Sequence, residues 1–139
     1  PPRDGEVSRA ILLSLYAGLR PFELFDAEII STNKQSCIRV PDKRNYAQFR
    51  LIPLHKKLEG ESFAFLTERK TLLESVTGYL KSFGLTTFSL NYALYDELVE
   101  QGIDSIDLVA LTHGKAEAFW DEDVTRRLTR LFEQIDFSF

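Results

Sequence analysis

Residues 16–24 read Tyr16-Ala17-Gly18-Leu19-Arg20-Pro21-Phe22-Glu23-Leu24, and the fold turns on this stretch. On its N-terminal side, Ile11, Leu12, Leu15, Tyr16 and Leu19 recur at helical spacing. They predict a helix over 7–19, loosened near its end by Gly18. Pro21 has its φ preset and needs no helical N–H partner, so it suits the first turn of a second, short helix through Phe22, Leu24 and Phe25. Arg20 and Glu23 stand three apart at this junction, a spacing that permits a surface ion pair at a helix end.

The period then changes. Ile38, Val40, Phe49 and Leu51 alternate as strand residues do, and Ile52 and Leu54 continue the apolar run. Between them, residues 41–46 are polar and turn-like. Residues 36–54 therefore read as a β-hairpin, with Cys37 a small strand residue at its start. After an ambiguous Phe63-Ala64-Phe65, the stripe Leu72, Leu73, Val76, Tyr79, Leu80 and Phe83 predicts a helix over 67–83, closed by Gly84. Ser89 is placed to cap the next helix, which runs to Gln101 with Leu90, Leu94 and Leu98 inside and Gly102 after it. A short helix follows over 105–111, ending near His113. An amphipathic helix over 123–135 carries Val124, Leu128, Leu131, Phe132 and Ile135. The expected fold is mainly α with a small inserted β-hairpin, an α+β arrangement in a single domain over 1–139.

Composition sets the outer limits. The chain has 139 residues, 44% hydrophobic and 27% charged, the balance of a soluble globular protein. No apolar run nears the ~20 residues that span a bilayer. No signal-peptide pattern opens the chain. One cysteine forms no internal disulfide, and no Cys/His cluster suggests zinc. An intracellular, cytoplasmic setting is expected, with no cofactor, no metal and no membrane partner. The chain begins Pro1-Pro2-Arg3-Asp4 and contains no Met, which reads as the C-terminal part of a longer protein.

The order helix, Gly-Leu-Arg, short helix, basic hairpin, helices resembles the catalytic domain of the tyrosine recombinases, or phage integrases. Residues 16–24 are similar to that family's first box, where Gly-Leu-Arg is followed three residues later by an acid. Arg50-Leu51-Ile52-Pro53-Leu54 resembles the hairpin exit. Residues 90–102 fit the second-box helix without a gap. Leu111-Thr112-His113 resembles the later Leu-Gly-His. The resemblance covers nearly the whole chain, while the family's separate N-terminal DNA clamp has no counterpart in it. The stretch between Leu54 and Phe63 is shorter than the family's.

The resemblance implies a chemistry. Two arginines hold the scissile phosphate, because Arg presents a rigid and always charged fork. A hairpin lysine protonates the leaving oxygen, histidines assist, and a tyrosine forms a covalent DNA adduct. The first arginine falls on Arg20 and the nearby acid on Glu23. The lysine falls on Lys43 and the later histidine on His113. The other positions are substituted. Phe88 and Tyr92 stand where histidines are expected, and Asn91 stands where the second arginine is expected. The register nine residues after His113 gives Glu122, and no tyrosine follows Tyr95. Loss of one such electrostatic stabiliser costs on the order of 10²–10³ in rate, and loss of the nucleophile ends the covalent route. Tyr92 lies in the wrong register for in-line attack. No catalytic residue is assigned, so a catalytically degenerate relative is expected.

Charge is unevenly spread. Residues 34–57 carry seven basic side chains (Lys34, Arg39, Lys43, Arg44, Arg50, Lys56 and Lys57) against Asp42, a net +6. The remainder of the chain is −10, for a total of −4. The expected DNA contacts are Arg20, Arg39, Lys43, Arg44, Arg50, Lys56 and Lys57, with Tyr46 near the hairpin tip to lie on a sugar or base. The expected partner is double-stranded DNA, bound weakly. The last helix, through Val124, Leu128, Leu131 and Phe132, either joins a second copy or a recombinase partner in trans, or folds back in cis. Two other functions stay open: an active but atypical strand-transfer enzyme, and an assembly domain that has lost DNA.

Overall fold

The computed structural model describes residues 5–32, 35–42, 44, 48–113 and 122–137. Among them are five α-helices and a three-stranded antiparallel sheet. In chain order these are α1 (Gly5–Ala17), β1 (Glu28–Thr32), β2 (Gln35–Pro41), β3 (Phe49–Pro53), α2 (Arg69–Lys81), α3 (Thr87–Glu100), α4 (Ser105–His113) and α5 (Glu122–Glu133). The mainly α fold with an inserted hairpin is as the sequence predicts. Short 3₁₀ turns cover Pro21–Glu23 and Lys56–Leu58.

The core forms around α1. Val7, Ala10, Ile11, Leu13, Leu15, Tyr16 and Ala17 are all buried, which is more than one helical stripe. A helix apolar on all sides is a central helix. The helices α2 and α3 pack against it. The described core also takes Leu72, Val76 and Leu80 from α2, and Leu90, Leu94 and Leu98 from α3.

The sheet departs from the expected hairpin by one strand. β2 and β3 pair with Arg39 opposite Leu51 and Val40 opposite Arg50. β1 adds to the other edge of β2, with Ile29 opposite Ile38. Its two isoleucines are too short a run to announce a strand alone. β3 is buried at all five residues, because α4 and α5 lie against it.

Element boundaries differ from the sequence reading in several places. α2 stops at Lys81, so Phe83 leaves the stripe; it is exposed and meets only the edge of the Tyr79 ring, 5.2 Å between centroids. Thr86, not Ser89, is the N-cap of α3. Its hydroxyl accepts from the Ser89 backbone N–H, and Ser89 returns the bond from the N3 position. Phe63 and Phe65 lie in no regular element, and both pack against the core.

The α5 face resolves the trans-or-cis choice for this chain's own fold. Leu128 and Phe132 are buried in the core, and Val124 and Leu131 pack against it. In this chain Leu128 and Phe132 are engaged in cis, and Val124 and Leu131 stay partly exposed. The tail behind them is clasped as well. His55 Nε2 donates to Ile135 O at 2.7 Å, and Tyr16 Oη accepts from the Phe137 N–H at 2.9 Å. The two rings meet at 4.5 Å.

Candidate functional site

The Gly-Leu-Arg stretch ends α1 and starts the site. Gly18 has φ +65°, a left-handed conformation that costs an L residue about 1–2 kcal/mol. A Cβ there would lie 2.7 Å from Tyr95 Oη. Glycine thus serves both the turn and a close approach by α3. The chain leaves the turn with Arg20 exposed, and Pro21 begins the 3₁₀ turn that carries Glu23 inward.

Glu23 is the hub beneath the surface. Its Oε1 accepts from the Arg20 backbone N–H at 2.9 Å and from Arg50 Nη2 at 2.8 Å. Its Oε2 accepts from Arg50 Nη1. Both side chains of this fork-to-fork pair are 7% exposed. Burial opposes the Arg50 charge, but the Glu23 pair outweighs it and holds the guanidinium above its usual pKa. The Tyr95 hydroxyl donates to Gly18 O at 3.2 Å. Burial pushes the Tyr95 phenol up, so it stays a neutral hydroxyl.

These pairings correct two expectations. The partner of Glu23 is Arg50, not the Arg20 side chain. Arg50 itself is withdrawn from any DNA-facing role, being enclosed and neutralised. Arg50 stands two residues from Ile52 and opposite Val40, on the sheet face that joins the main core, while Phe49 and Leu51 pack with Cys37 on the other face. Both faces of β3 are buried, so alternation alone does not tell which side is wet.

Above this floor lies an open cleft of about 490 Å³, lined by Arg20, Phe88, Asn91, Tyr92, Tyr95 and Thr112. Four residues singled out from the sequence therefore meet at one place. None of the described lining residues is acidic. The Arg20 guanidinium makes no ion pair among the described residues. Phe88 and Tyr92, one helical turn apart on α3, are 63% and 61% exposed. Asn91 is different. It is 5% exposed, and in the orientation its neighbours require its amide nitrogen donates to Leu19 O at 2.9 Å and Thr87 O at 3.1 Å. It ties the end of α1 to the start of α3. Tyr95 and Thr112 were missed by sequence reasoning. Tyr95 stands four residues after Asn91, on the same helix face, which was the available signal.

The described basic residues of 34–57 are spread over both ends of β3. Arg39 pairs with Glu28 at 3.4 Å and lies over the Phe49 ring. Arg44 is exposed near the hairpin turn, where its N–H donates to Asp42 Oδ1. Lys56 and Lys57 are exposed beyond Pro53. That is the other end of β3, roughly 13 Å from Phe49 at strand rise. Lys34, Lys43 and Tyr46 lie outside the described residues, as does the side chain of His113. Glu122 opens α5, exposed, 3.9 Å from Arg126, and is not among the described residues lining the cleft.

Other chemistry is sparse. Among the described residues no group of three or more His, Cys, Asp or Glu could hold a metal, and no helix is long and apolar enough to cross a membrane. Burial pushes the Cys37 thiol up to about 11, so it has little thiolate character.

No protein-family model matches the chain, and no curated protein matches it. Among solved structures, an integrase from mycobacterium phage Brujita has a similar fold, with a TM-score of 0.67 and 16% sequence identity. The match covers 98% of this chain and 53% of that integrase, so this chain spans about half of its length. At that identity the likeness shows the fold: five helices around an inserted antiparallel sheet are arranged here as in a phage integrase.

Proposed function

We propose that the chain is a catalytically degenerate, tyrosine-recombinase-like DNA-binding domain, regulatory or accessory in recombination or transcription. The observation that carries the reading is Asn91. The resemblance expects a phosphate-binding arginine there. This chain has an uncharged amide, buried and donating to two backbone carbonyls. Arg20, the other expected phosphate ligand, keeps an exposed guanidinium beside it. The site thus retains one of two cations. A single cation can bind a phosphate, yet it stabilises the developing charge of strand cleavage far less than a pair does. The carboxylate of Glu122, at the expected nucleophile register, supplies no tyrosyl oxygen.

Duplex contact is assigned to Arg20, Lys43 and Arg44, and Arg50 is left out of it. A gel-shift titration over salt tests this. The expected result is weak duplex binding at low salt that falls steeply as salt rises. Reversing Lys43 and Arg44 to Glu abolishes it. A nicked suicide substrate yields no covalent adduct. An adduct that survives denaturation overturns the degenerate reading. Duplex binding that ignores both salt and the two reversals overturns the DNA-binding one.

A further inference from the structure

The two substitutions that remove histidine chemistry from the cleft also change what its surface fits. Phe88 and Tyr92 are large, mostly exposed rings. They stand at i and i+4 on α3, about 6 Å apart along the helix axis. Among the described residues neither ring stacks on another ring. Exposed aromatics gathered beside a cleft are informative in a way that a lone exposed apolar residue is not. Here they share the cleft with an exposed arginine that has no acid partner among the described residues, and no described lining residue is acidic. A paired base in a duplex hides its ring faces, so it offers Phe88 and Tyr92 nothing. An unpaired base offers both faces, and its phosphate suits Arg20.

We propose that the cleft binds single-stranded DNA, with one or two unstacked bases lying against Phe88 and Tyr92 and a flanking phosphate at Arg20. This deepens the DNA-binding reading above by naming the form of DNA that the cleft takes. It rests on that reading only through Arg20. The rings give contacts that tolerate any base, because every base has a π face. The polar floor is already occupied: Asn91 by the backbone, and Tyr95 by Gly18. Little is left to read a base edge, so low sequence preference follows.

The test is fluorescence anisotropy at low salt with the full chain. The probes are a labelled oligothymidine, an abasic strand of equal length and a duplex of equal length. Oligothymidine is expected to bind more tightly than either of the others. Phe88→Ala and Tyr92→Ala each weaken oligothymidine binding by roughly 5- to 150-fold, the range for a base–aromatic stack. Both leave duplex binding within twofold. Both positions are exposed, so unchanged thermal unfolding shows that the variants remain folded. Equal binding of oligothymidine and the abasic strand overturns the proposal, and so does oligothymidine binding that survives both substitutions. Lys43→Glu with Arg44→Glu separates the two readings. If duplex binding resists that pair while the ring variants lose the single strand, the hairpin assignment fails and the cleft assignment stands. If the pair abolishes duplex binding while the ring variants change nothing, the reverse holds.

Discussion

Arg20 and Arg50 are two arginines organised by one carboxylate. Glu23 fixes the backbone of the first and neutralises the side chain of the second. Arg50 is enclosed between the sheet and α3, with Glu23 as its partner. Arg20 sits at the cleft rim, without an ion pair among the described residues. Both count as +1 in any sequence tally, but only one is available to an anion. The comparison teaches that the +6 of residues 34–57 is a property of the chain, not of its surface. Glu23 and Glu28, both outside that segment, each neutralise one of its cations.

The comparison is broken most severely at Glu23. Glu23→Gln keeps the size of the side chain and removes its charge, leaving Arg50 ionised and buried without compensation. Breaking a buried pair from one side costs about 3–5 kcal/mol. Urea unfolding should show a loss of that order. A loss under about 1 kcal/mol means that water reaches Arg50, and the contrast with Arg20 disappears.

A somewhat smaller effect is expected at Gly18, where the floor and the rim meet. Gly18→Ala places a Cβ 2.7 Å from Tyr95 Oη at a backbone φ of +65°. The left-handed conformation costs about 1–2 kcal/mol, and overpacking adds about 1–3 kcal/mol. Adding Tyr95→Leu removes both crowding atoms, Oη at 2.7 Å and Cζ at 2.9 Å, but not the backbone strain. The double variant should therefore lose less than the two single losses added together. Strict additivity argues against the close approach.

A third effect tests whether the far side of the core is as closed as the Arg50 pocket. His55 is buried, and burial holds its pKa below the usual 6.5; the Ile135 carbonyl opposes this shift and Lys56 and Lys57 assist it. Its Nδ1 accepts from the Lys57 N–H at 3.0 Å, and its Nε2 donates to Ile135 O. That arrangement needs the neutral ring, since protonation turns the acceptor into a donor. The unfolded chain takes up a proton as pH falls through 6.5, and the folded chain resists doing so. Stability is therefore complete above pH 6.5 and declines below it. Glu6 acts in a lower window. The Thr67 hydroxyl, helped by the Leu66 and Thr67 N–H groups, holds its pKa below 4.5, so its share of stability is lost only in stronger acid. Urea midpoints measured between pH 7 and pH 5.5 on the His113→Asn variant, which removes the other histidine of the chain, isolate His55. A midpoint that stays flat there means that its ring is not excluded from protons.

How far the sequence led differs between these regions. The cleft was legible: Arg20, Phe88, Asn91 and Tyr92 were placed together by the order of motifs, and the structure lines one cavity with them. A motif keeps its spacing whatever its side chains later do. The floor was not legible. Arg50 alternates with Phe49 and Leu51, and a strand with one wet face would turn it outward. Its burial follows from its place on the core face beside Ile52, opposite Val40, with Glu23 brought against it from 27 residues away, which local periodicity does not encode. β1 escaped notice for a related reason. A short edge strand with two isoleucines is stabilised by its pairing with β2 more than by its own composition. Tyr16, read as one more apolar position of the first helix, proves to be a polar clasp for the C-terminal tail.

The smallest expected effect on stability belongs to Arg20, and it makes the comparison sharpest. Arg20→Ala removes an exposed guanidinium that has no ion pair among the described residues, while Glu23 holds its backbone whatever the side chain. A surface change of this kind stays within about 0.5 kcal/mol. DNA affinity should fall nonetheless, because the cleft loses its cation, and the salt dependence of binding should become shallower by about one phosphate contact. That combination, a stable fold with a flatter salt slope, is what an arginine kept for a ligand produces. Destabilisation by more than about 1 kcal/mol with an unchanged slope would instead make Arg20 a structural residue like Arg50, and the cleft would then hold no cation of its own.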